Sequence, residues 1–209
     1  MEFKVLNIKS LINAEAQHYP FSWFKLNNII NHNYVPMLIS SFPREDFTHI
    51  NKNTSKKSYN MEFRYLNNEF DEIYKSKQSL FYELKQELTS QVYRKYLSDR
   101  VNMSLEKSKV ELCLWSYKST SFLSLHRDKK QKVLTQIIYL NDSWSSCWGG
   151  NLCLHDGPYE NRIVKKLNPI IGTSIVIINS KKSWHSVEPL NHSAPHCRNS
   201  LQVVYWRDN

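Results

Sequence analysis

The stretch FLSLHRD, residues 122–128, is a short run of β-forming residues that ends in a His-x-Asp triplet. Successive side chains of a strand point to opposite faces, so His126 and Asp128 are expected to project from the same face. A further histidine, His185, follows in the sequence SWHSV. A His-x-Asp triplet with a later histidine occurs in many unrelated chains, so its meaning depends on the surrounding sequence.

Two imidazoles and one carboxylate can occupy one face of an octahedral metal ion. This ligand set suits non-haem Fe(II), because it leaves coordination positions open for a substrate and O2. The candidate metal ligands are therefore His126, Asp128 and His185.

Composition limits the class of protein. A chain of 209 residues with 41% hydrophobic and 13% aromatic residues is long enough for one folded domain with a real core. The chain has no long apolar run, and its first residues, MEFKVL, lack the pattern of a secretory signal, so we expect no membrane span. The cysteines show no Cys-x-x-Cys spacing. We expect them to be reduced thiols in a cytoplasmic protein, at Cys113, Cys147, Cys153 and Cys197.

The net charge of +9 raises the question of an acidic partner. The lysines are spread along the chain as short pairs rather than as one block, which is also typical of solvated turns. We therefore favour a small-molecule or peptidyl substrate with anionic groups over nucleic acid. Lys129, Lys130 and Lys132 are of most interest, because they directly follow the candidate metal ligands.

The first half of the chain contains no glycine and is partly helical in pattern. Apolar residues recur at helical spacing from Phe81 to Val92 and predict an amphipathic helix over about residues 76–98. A second helix is predicted over about residues 23–32. The polar, lysine-rich segment 51–60 shows no periodicity and is predicted to be a loop; loops beside a site often act as lids, and the sequence leaves that role open.

From about Val110 the pattern changes to short strands separated by turn residues. Strands are predicted at 110–117, 122–126, 133–140, 151–155, 162–165, 174–178, 184–188 and 200–206. Short strands in this rhythm indicate a jelly-roll sandwich or barrel. The expected fold class is therefore mainly β with N-terminal helices, and the ligands lie where strands end at the mouth of the barrel.

Several polar and aromatic residues near the end of the chain are further candidates. An arginine with a serine two residues later, as in Arg198-Asn199-Ser200, can hold a carboxylate through a bidentate fork and a hydroxyl. The alternative is a surface salt bridge, but the position after His185 favours a carboxylate site. Trp184 adjoins His185 and is a candidate for lining the pocket. One interpretation of His192, His196 and Cys197 is a second metal site, but we favour the interpretation that they are solvated loop residues.

Taken in order, these motifs resemble the 2-oxoglutarate/Fe(II)-dependent dioxygenase superfamily, and most closely its prolyl-4-hydroxylase-like branch. The resemblance covers roughly residues 105–206. It rests on Tyr117, the triplet at 126–128, VLTQIIYLN at 133–141, WGGNL at 148–152, His185 and Arg198-Asn199-Ser200. It implies a double-stranded β-helix of the cupin type. Residues 1–105 would then support a catalytic core at 106–209, within one integrated domain.

The resemblance also implies a role for each matching residue. The residues that match the iron ligands are His126, Asp128 and His185. Arg198 matches the basic residue that pairs with the distal carboxylate of 2-oxoglutarate, and Ser200 matches its hydroxyl partner. Animal prolyl hydroxylases commonly have a lysine at the basic position, which weakens the argument for a prolyl substrate. Tyr117 matches a tyrosine that contacts the co-substrate, although Lys118-Ser119-Thr120 replaces the Pro-Gly step that usually follows it.

The activity that the resemblance implies is that of an oxygenase which uses Fe(II), 2-oxoglutarate and O2, supported by ascorbate, and releases succinate and CO2. Halogenating relatives replace the carboxylate ligand with a small residue, so Asp128 indicates hydroxylation. The leading hypothesis is hydroxylation of an unactivated C–H bond in a small molecule, such as an amino acid, a carrier-bound aminoacyl group or a biosynthetic intermediate. A protein or peptide hydroxylase is the main alternative.

Two other functions rank lower. Nucleic-acid dealkylases among the relatives carry a second arginine where this chain has Val204. A non-catalytic jelly-roll binding module would not need the intact ligand set of His126, Asp128 and His185.

Overall fold

The computed structural model describes residues 3–55, 57–75 and 79–208. Within these ranges the α-helices all lie in the first half of the chain. They are α1 (Ile8–Ile12), α2 (Val35–Ser40), α3 (Asn68–Lys75), α4 (Leu80–Thr89) and α5 (Gln91–Val101). None of the described helices is long and apolar enough to cross a membrane.

The first four β-strands lie between these helices, and the later ones follow α5. The first four are β1 (Glu15–Gln17), β2 (Trp23–Leu26), β3 (Thr48–Lys52) and β4 (Tyr59–Tyr65). The later strands are β5 (Lys109–Tyr117), β6 (Phe122–His126), β7 (Lys132–Tyr139), β8 (Leu152–His155), β9 (Ile163–Leu167), β10 (Ser174–Ile178), β11 (His185–Val187) and β12 (Arg198–Trp206). The later strands match the strands predicted from the sequence, with small differences at their ends.

The strands pair in the order β1-β2-β10-β7-β12-β5-β4-β6-β11-β8-β9, with β3 paired to β4. All of these pairs are antiparallel. One end of β4 pairs with β5 and the other with β6, through Glu62–Tyr65 and Tyr59–Asn60 respectively. This strand therefore joins the larger layer, β1-β2-β10-β7-β12-β5, to the smaller layer, β6-β11-β8-β9. The predicted jelly-roll fold is confirmed.

Strands from the N-terminal region belong to the same sheet as the later ones. β2 pairs with β10, and β4 pairs with β5 and β6. The boundary at residue 105 between a supporting region and a catalytic core stays a prediction.

The larger layer has a hydrophobic core on each of its faces. Along β7, Leu134 and Ile138 pack with the buried residues of the helices, whereas Ile137 and Tyr139 face the barrel interior. This division follows from the alternation of side chains along a strand. The helices therefore cover one face of the layer, and the other face is free to carry a site.

The helix predicted over residues 23–32 is wrong, because Trp23–Leu26 forms β2. Trp23 belongs to the barrel-side core, while Phe24 and Leu26 belong to the helix-side core. β2 lies between β1 and β10. Burial on both faces of a paired strand here outweighs the helical spacing of the apolar residues.

The prediction of a single helix over residues 76–98 is wrong, because the chain forms two helices there, α4 and α5. Ser90 separates α4 from α5 with an extended backbone, φ −64° and ψ 148°, and its hydroxyl accepts a hydrogen bond from the Tyr93 N–H at 3.1 Å. The break changes which side chains α5 buries, so Tyr93 is buried while Val92 is 37% exposed. Residues 76–78 lie outside the described residues.

The loop predicted over residues 51–60 is in large part a β-hairpin. β3 continues to Lys52 and β4 begins at Tyr59, and these two residues pair with each other. Only residues 53–58 connect the strands, and Lys56 lies outside the described part of the chain.

Candidate metal and co-substrate site

Two histidines face each other across neighbouring strands. His126 ends β6 and His185 begins β11, and the two residues pair directly in the antiparallel register. Their ring centroids lie 4.3 Å apart, with an angle of 56° between the ring planes. Both side chains are buried. The pairing of β6 with β11 therefore sets the separation of the two imidazoles.

Each imidazole is oriented by a hydrogen bond to the backbone. Nδ1 of His126 lies 2.9 Å from the Ser124 carbonyl oxygen, and Nδ1 of His185 lies 2.9 Å from the Ser183 carbonyl oxygen. A ring that donates from Nδ1 keeps the lone pair of Nε2 free for a metal. Burial lowers the pKa of both rings, and the neighbouring His185 lowers that of His126 further. Both imidazoles are therefore neutral at pH 7 and available as ligands.

The carboxylate of Asp128 is held at both of its oxygens. Oδ1 accepts a hydrogen bond from Lys132 Nζ at 2.9 Å, and Oδ2 accepts one from Thr135 Oγ1 at 2.8 Å. Burial alone raises the pKa of Asp128, but Lys132 and the two imidazoles lower it, and the net direction is downward. The side chain is therefore an ionised carboxylate with a fixed orientation.

These three side chains fit a metal ion. One ligand atom from each lies within 4.8 Å of the other two. Two imidazole nitrogens and one carboxylate oxygen form a set that suits Fe(II). Among the residues that the structure describes, no other three His, Cys, Asp or Glu side chains meet in this way. The residues predicted as ligands are thus brought together, which is the geometry that their predicted role requires.

A buried guanidinium lies on the wall of the same cavity. Arg198 is only 2% exposed. Its Nε donates to the Gly150 carbonyl oxygen at 2.6 Å, and its guanidinium carbon lies 4.8 Å from the Tyr117 ring centroid and 5.2 Å from that of Tyr139. No carboxylate of the described residues forms an ion pair with it. Because an unpaired buried charge is costly, this position is suited to an anionic ligand.

Tyr117 and Ser200 line the cavity beside Arg198. Tyr117 pairs with Arg198 across β5 and β12, and Ser200 lies two residues further along β12 on the same face. The cavity has a volume of about 360 Å³ and is also lined by the three candidate ligands. Ligand pockets in proteins measure about 300–1,000 Å³, so this space suits a small molecule.

Two residues that position Arg198 were not predicted from the sequence. A Cβ on Gly150, whose φ is +68°, would lie 3.1 Å from the Trp144 ring and 3.2 Å from the Arg198 side chain. A side chain here would crowd both neighbours and strain the backbone, so glycine suits this position, and the pair Gly149-Gly150 ahead of a strand was a usable signal. Tyr139 offered no such signal. Its side chain is fully buried, and its ring lies against the guanidinium of Arg198.

The remaining candidates are His192, His196, Cys197 and Trp184. His192 bonds to a serine hydroxyl, and His196 packs against a tryptophan ring. They do not meet with Cys197 as a set of three ligand atoms. Trp184 lines an open groove next to the cavity, and the guanidinium carbon of Arg127 lies 4.8 Å from its ring centroid.

Comparison with protein families gives a match over the second half of the chain. Residues 112–206 match the model described as the 2OG-Fe(II) oxygenase superfamily. The matched segment runs from β5 to the end of β12 and contains the three candidate ligands and Arg198. No curated protein matches the chain at a significant level of sequence similarity.

Solved structures match over nearly the whole chain. A prolyl-4-hydroxylase from Pseudomonas putida is 15% identical, with a TM-score of 0.60 over 96% of this chain and 97% of that one. An oxidoreductase of the 2OG-Fe(II) oxygenase family from Burkholderia pseudomallei is 14% identical, with a TM-score of 0.64 over 100% and 95%. A prolyl hydroxylase from Trichoplax adhaerens, in complex with a peptide fragment of hypoxia inducible factor, is 17% identical, with a TM-score of 0.62 over 95% and 88%. At these identities the likeness shows a shared fold.

Proposed function

Since residues 112–206 match the model of the 2OG-Fe(II) oxygenase superfamily, we propose that this enzyme hydroxylates an unactivated C–H bond of a small molecule. The superfamily uses Fe(II), 2-oxoglutarate and O2. When bound, Fe(II) with these two co-substrates would supply the oxidation. 2-Oxoglutarate loses CO2 and becomes succinate; one oxygen atom of O2 enters succinate, and the other enters the substrate C–H bond.

The residues proposed to hold Fe(II) are His126, Asp128 and His185. Three protein ligands on one face leave the remaining positions for 2-oxoglutarate and O2. The backbone hydrogen bonds at Nδ1 orient each imidazole and leave its Nε2 available for the metal. Lys132 and Thr135 do the same for the carboxylate. Metal binding therefore requires little rearrangement of the side chains.

Arg198 is proposed to hold the distal carboxylate of 2-oxoglutarate, with hydroxyls of Ser200 and Tyr117 beside it. A planar guanidinium can donate two parallel hydrogen bonds to a carboxylate. The observation that carries the proposal is a buried guanidinium without a counter-ion in the cavity that the three metal-ligand candidates also line.

A peptide hydroxylase is the second candidate. β3 pairs only with β4 among the described strands, so one of its edges is open for an extended peptide. Ile50, Tyr59 and Met61 of this hairpin line the cavity. The similar Trichoplax enzyme is a prolyl hydroxylase with a bound peptide fragment. A peptide that lies along the hairpin would place its side chains next to the proposed iron site.

Succinate release tests the proposed function. With Fe(II) and ascorbate, the purified protein is expected to convert 2-oxoglutarate to succinate slowly, and faster when a panel of amino acids, peptides and single-stranded DNA contains a substrate. His126→Ala and Asp128→Ala are expected to reduce this turnover to background, because each removes a ligand. Lys25→Gln, at an exposed position on β2, is the control that retains it. Unchanged turnover in either ligand variant would refute the ligand assignment, and no succinate from the wild type would refute the function.

A further inference from the structure

An open groove adjoins the proposed iron site on the outside of the cavity. Its volume is about 1020 Å³, and its lining includes His126 and Asp128. Basic side chains dominate the rest of the lining. We call this surface the cationic groove and define it by Lys57, Arg127, Lys130, Lys181 and Arg207.

The part of the protein that the structure describes does not neutralise the charges of the cationic groove. None of its five basic residues takes part in an ion pair among the described residues. The carboxylates in the described lining are Asp128, which already pairs with Lys132, and Asp208. Crowded like charges destabilise a folded protein. A bound anion would therefore stabilise this part of the molecule.

Lys57 lies at the junction of the cationic groove and the cavity, because it lines both. Its Nζ lies 5.9 Å from the Tyr59 ring centroid. Burial and the nearby lysines together lower the pKa of Lys57 to about 8, while Asp128 acts in the opposite direction. The ammonium group is still mostly protonated at pH 7, so it offers a half-buried positive charge directly beside the proposed iron site.

Arg127 presents a fixed guanidinium in the same groove. Its Nη1 donates to the Lys181 carbonyl oxygen at 2.9 Å, and its guanidinium carbon lies 4.8 Å from the Trp184 ring centroid. These contacts reduce the entropy that is lost when the side chain binds an anion. They also cover one face of Trp184, the aromatic side chain in the described lining. The groove is therefore better suited to binding an anionic group through its positive charges than to stacking bases.

We propose that the cationic groove binds an anionic group, a carboxylate or a phosphate, on the primary substrate. Lys57 and Arg127 hold this group while the carbon to be hydroxylated lies in the cavity next to His126. The substrate class is then a small molecule with an acidic group. This inference rests on the proposed function for its substrate, but the binding of an anion can be measured without turnover.

Calorimetric titration of the metal-free protein with pyrophosphate, citrate or a short thymidylate strand tests the anion site. At least one of the small anions is expected to bind, and the stronger of the two indicates whether phosphate or carboxylate is the natural group. Lys57→Gln and Arg127→Gln are each expected to weaken this binding about fivefold or more, because each removes a charge-assisted contact. Lys25→Gln makes the same charge change outside the groove and should alter the affinity less than about twofold.

A further variant separates this site from the pocket of Arg198. If the Arg198→Gln variant still binds the anion, the result supports binding in the cationic groove. If Arg198→Gln abolishes binding and Lys57→Gln does not, the inference is overturned. It is also overturned if neither small anion binds, or if Lys25→Gln weakens binding as much as Lys57→Gln. A thymidylate strand that binds more tightly than both small anions would assign the groove to nucleic acid and overturn it too.

Matched pairs of acidic and neutral compounds test the substrate class. Amino acids and their amides, or phosphate esters and the free alcohols, are added to the succinate assay. The acidic member of a pair is expected to stimulate succinate release, with a higher KM in Lys57→Gln. Stimulation by neutral members alone would overturn the inference and leave the oxygenase function intact. Absence of succinate together with Lys57-dependent anion binding would contradict the proposed function while it supports the anion site.

Discussion

At the scale of the residue, the two hydrogen bonds to Asp128 make a testable contribution to metal binding. Thr135→Val removes the donor to Oδ2 at nearly constant volume. Because partners that orient a metal ligand commonly contribute 10–100-fold in affinity, we expect a loss of about tenfold in the affinity for Mn(II) or Co(II). Equilibrium metal titration measures it. Thr135→Ser keeps the hydroxyl and is expected to bind like the wild type, so equal affinities of the two variants would contradict this role.

Gly150 gives a second prediction at this scale. A methyl group there meets Trp144 and Arg198 at 3.1 and 3.2 Å and strains a backbone with φ +68°. We expect Gly150→Ala to displace Arg198 and raise the KM for 2-oxoglutarate about tenfold, with metal affinity unchanged. Gly157→Ala is the matched control, because it also has a positive φ but its nearest neighbour lies 3.7 Å away. A metal affinity that falls together with co-substrate affinity would argue for a general disruption instead.

The residues of the site differ in how far sequence alone predicts them. His126, Asp128 and Arg198 stand in short motifs, and the order of these motifs along the chain allowed them to be proposed together; all three line one cavity. Tyr139 was quoted only as part of a strand. Its position over Arg198 depends on the register of β7 against β12, where Tyr139 pairs with Ser200, and single-sequence patterns do not specify such a register.

At the scale of the element, one buried carboxylate of α4 binds the N-terminal segment through hydrogen bonds. Glu87 accepts hydrogen bonds from the backbone N–H groups of Lys4, Val5 and Leu6 at 2.6, 2.9 and 2.7 Å. Glu87→Ala leaves these groups without their acceptor. We expect a loss of about 3 kcal/mol in the free energy of unfolding, because hydrogen bonds to charged groups are strong and buried unpaired donors are costly.

Urea denaturation measures this loss. Gln86→Ala, at the exposed neighbouring position of the same helix, is expected to change the free energy of unfolding by less than about 0.5 kcal/mol. Similar midpoints for the two variants would show that the carboxylate contributes little.

Strands were predicted correctly where residues close together in the sequence determine their ends. Each strand from β5 to β12 is a short β-forming run with turn residues at its ends, so local pattern was sufficient. β2 was mistaken for a helix because its partner is β10, with Trp23 opposite Ile177, far along the chain. The break at Ser90 was missed because apolar spacing continues across it, and only the capping hydroxyl marks it.

At the scale of the whole molecule, burial predicts the order in which three of the thiols react. Cys113 and Cys153 are buried, and Cys147 is exposed. Burial raises the pKa of Cys153 to about 12 and that of Cys113 well above its usual value. In native buffer at pH 8 we therefore expect a thiol reagent to label Cys147 first, and Cys113 and Cys153 only after unfolding.

Mass-spectrometric mapping of the labelled peptides checks this order, and Cys147→Ser should remove the fast phase. Fast labelling of Cys113 in the folded protein would contradict the packing of β5 between its neighbours.

The place of β12 has a consequence for the synthesis of the protein. This strand joins β5 to β7 in the middle of the larger layer and begins with Arg198, yet it follows every other described strand in the chain. While the ribosome is still translating residues before 198, β5 and β7 have no common neighbour. Pairing that depends on such distant segments is slow. The larger layer therefore cannot close until the stretch up to Trp206 has left the exit tunnel.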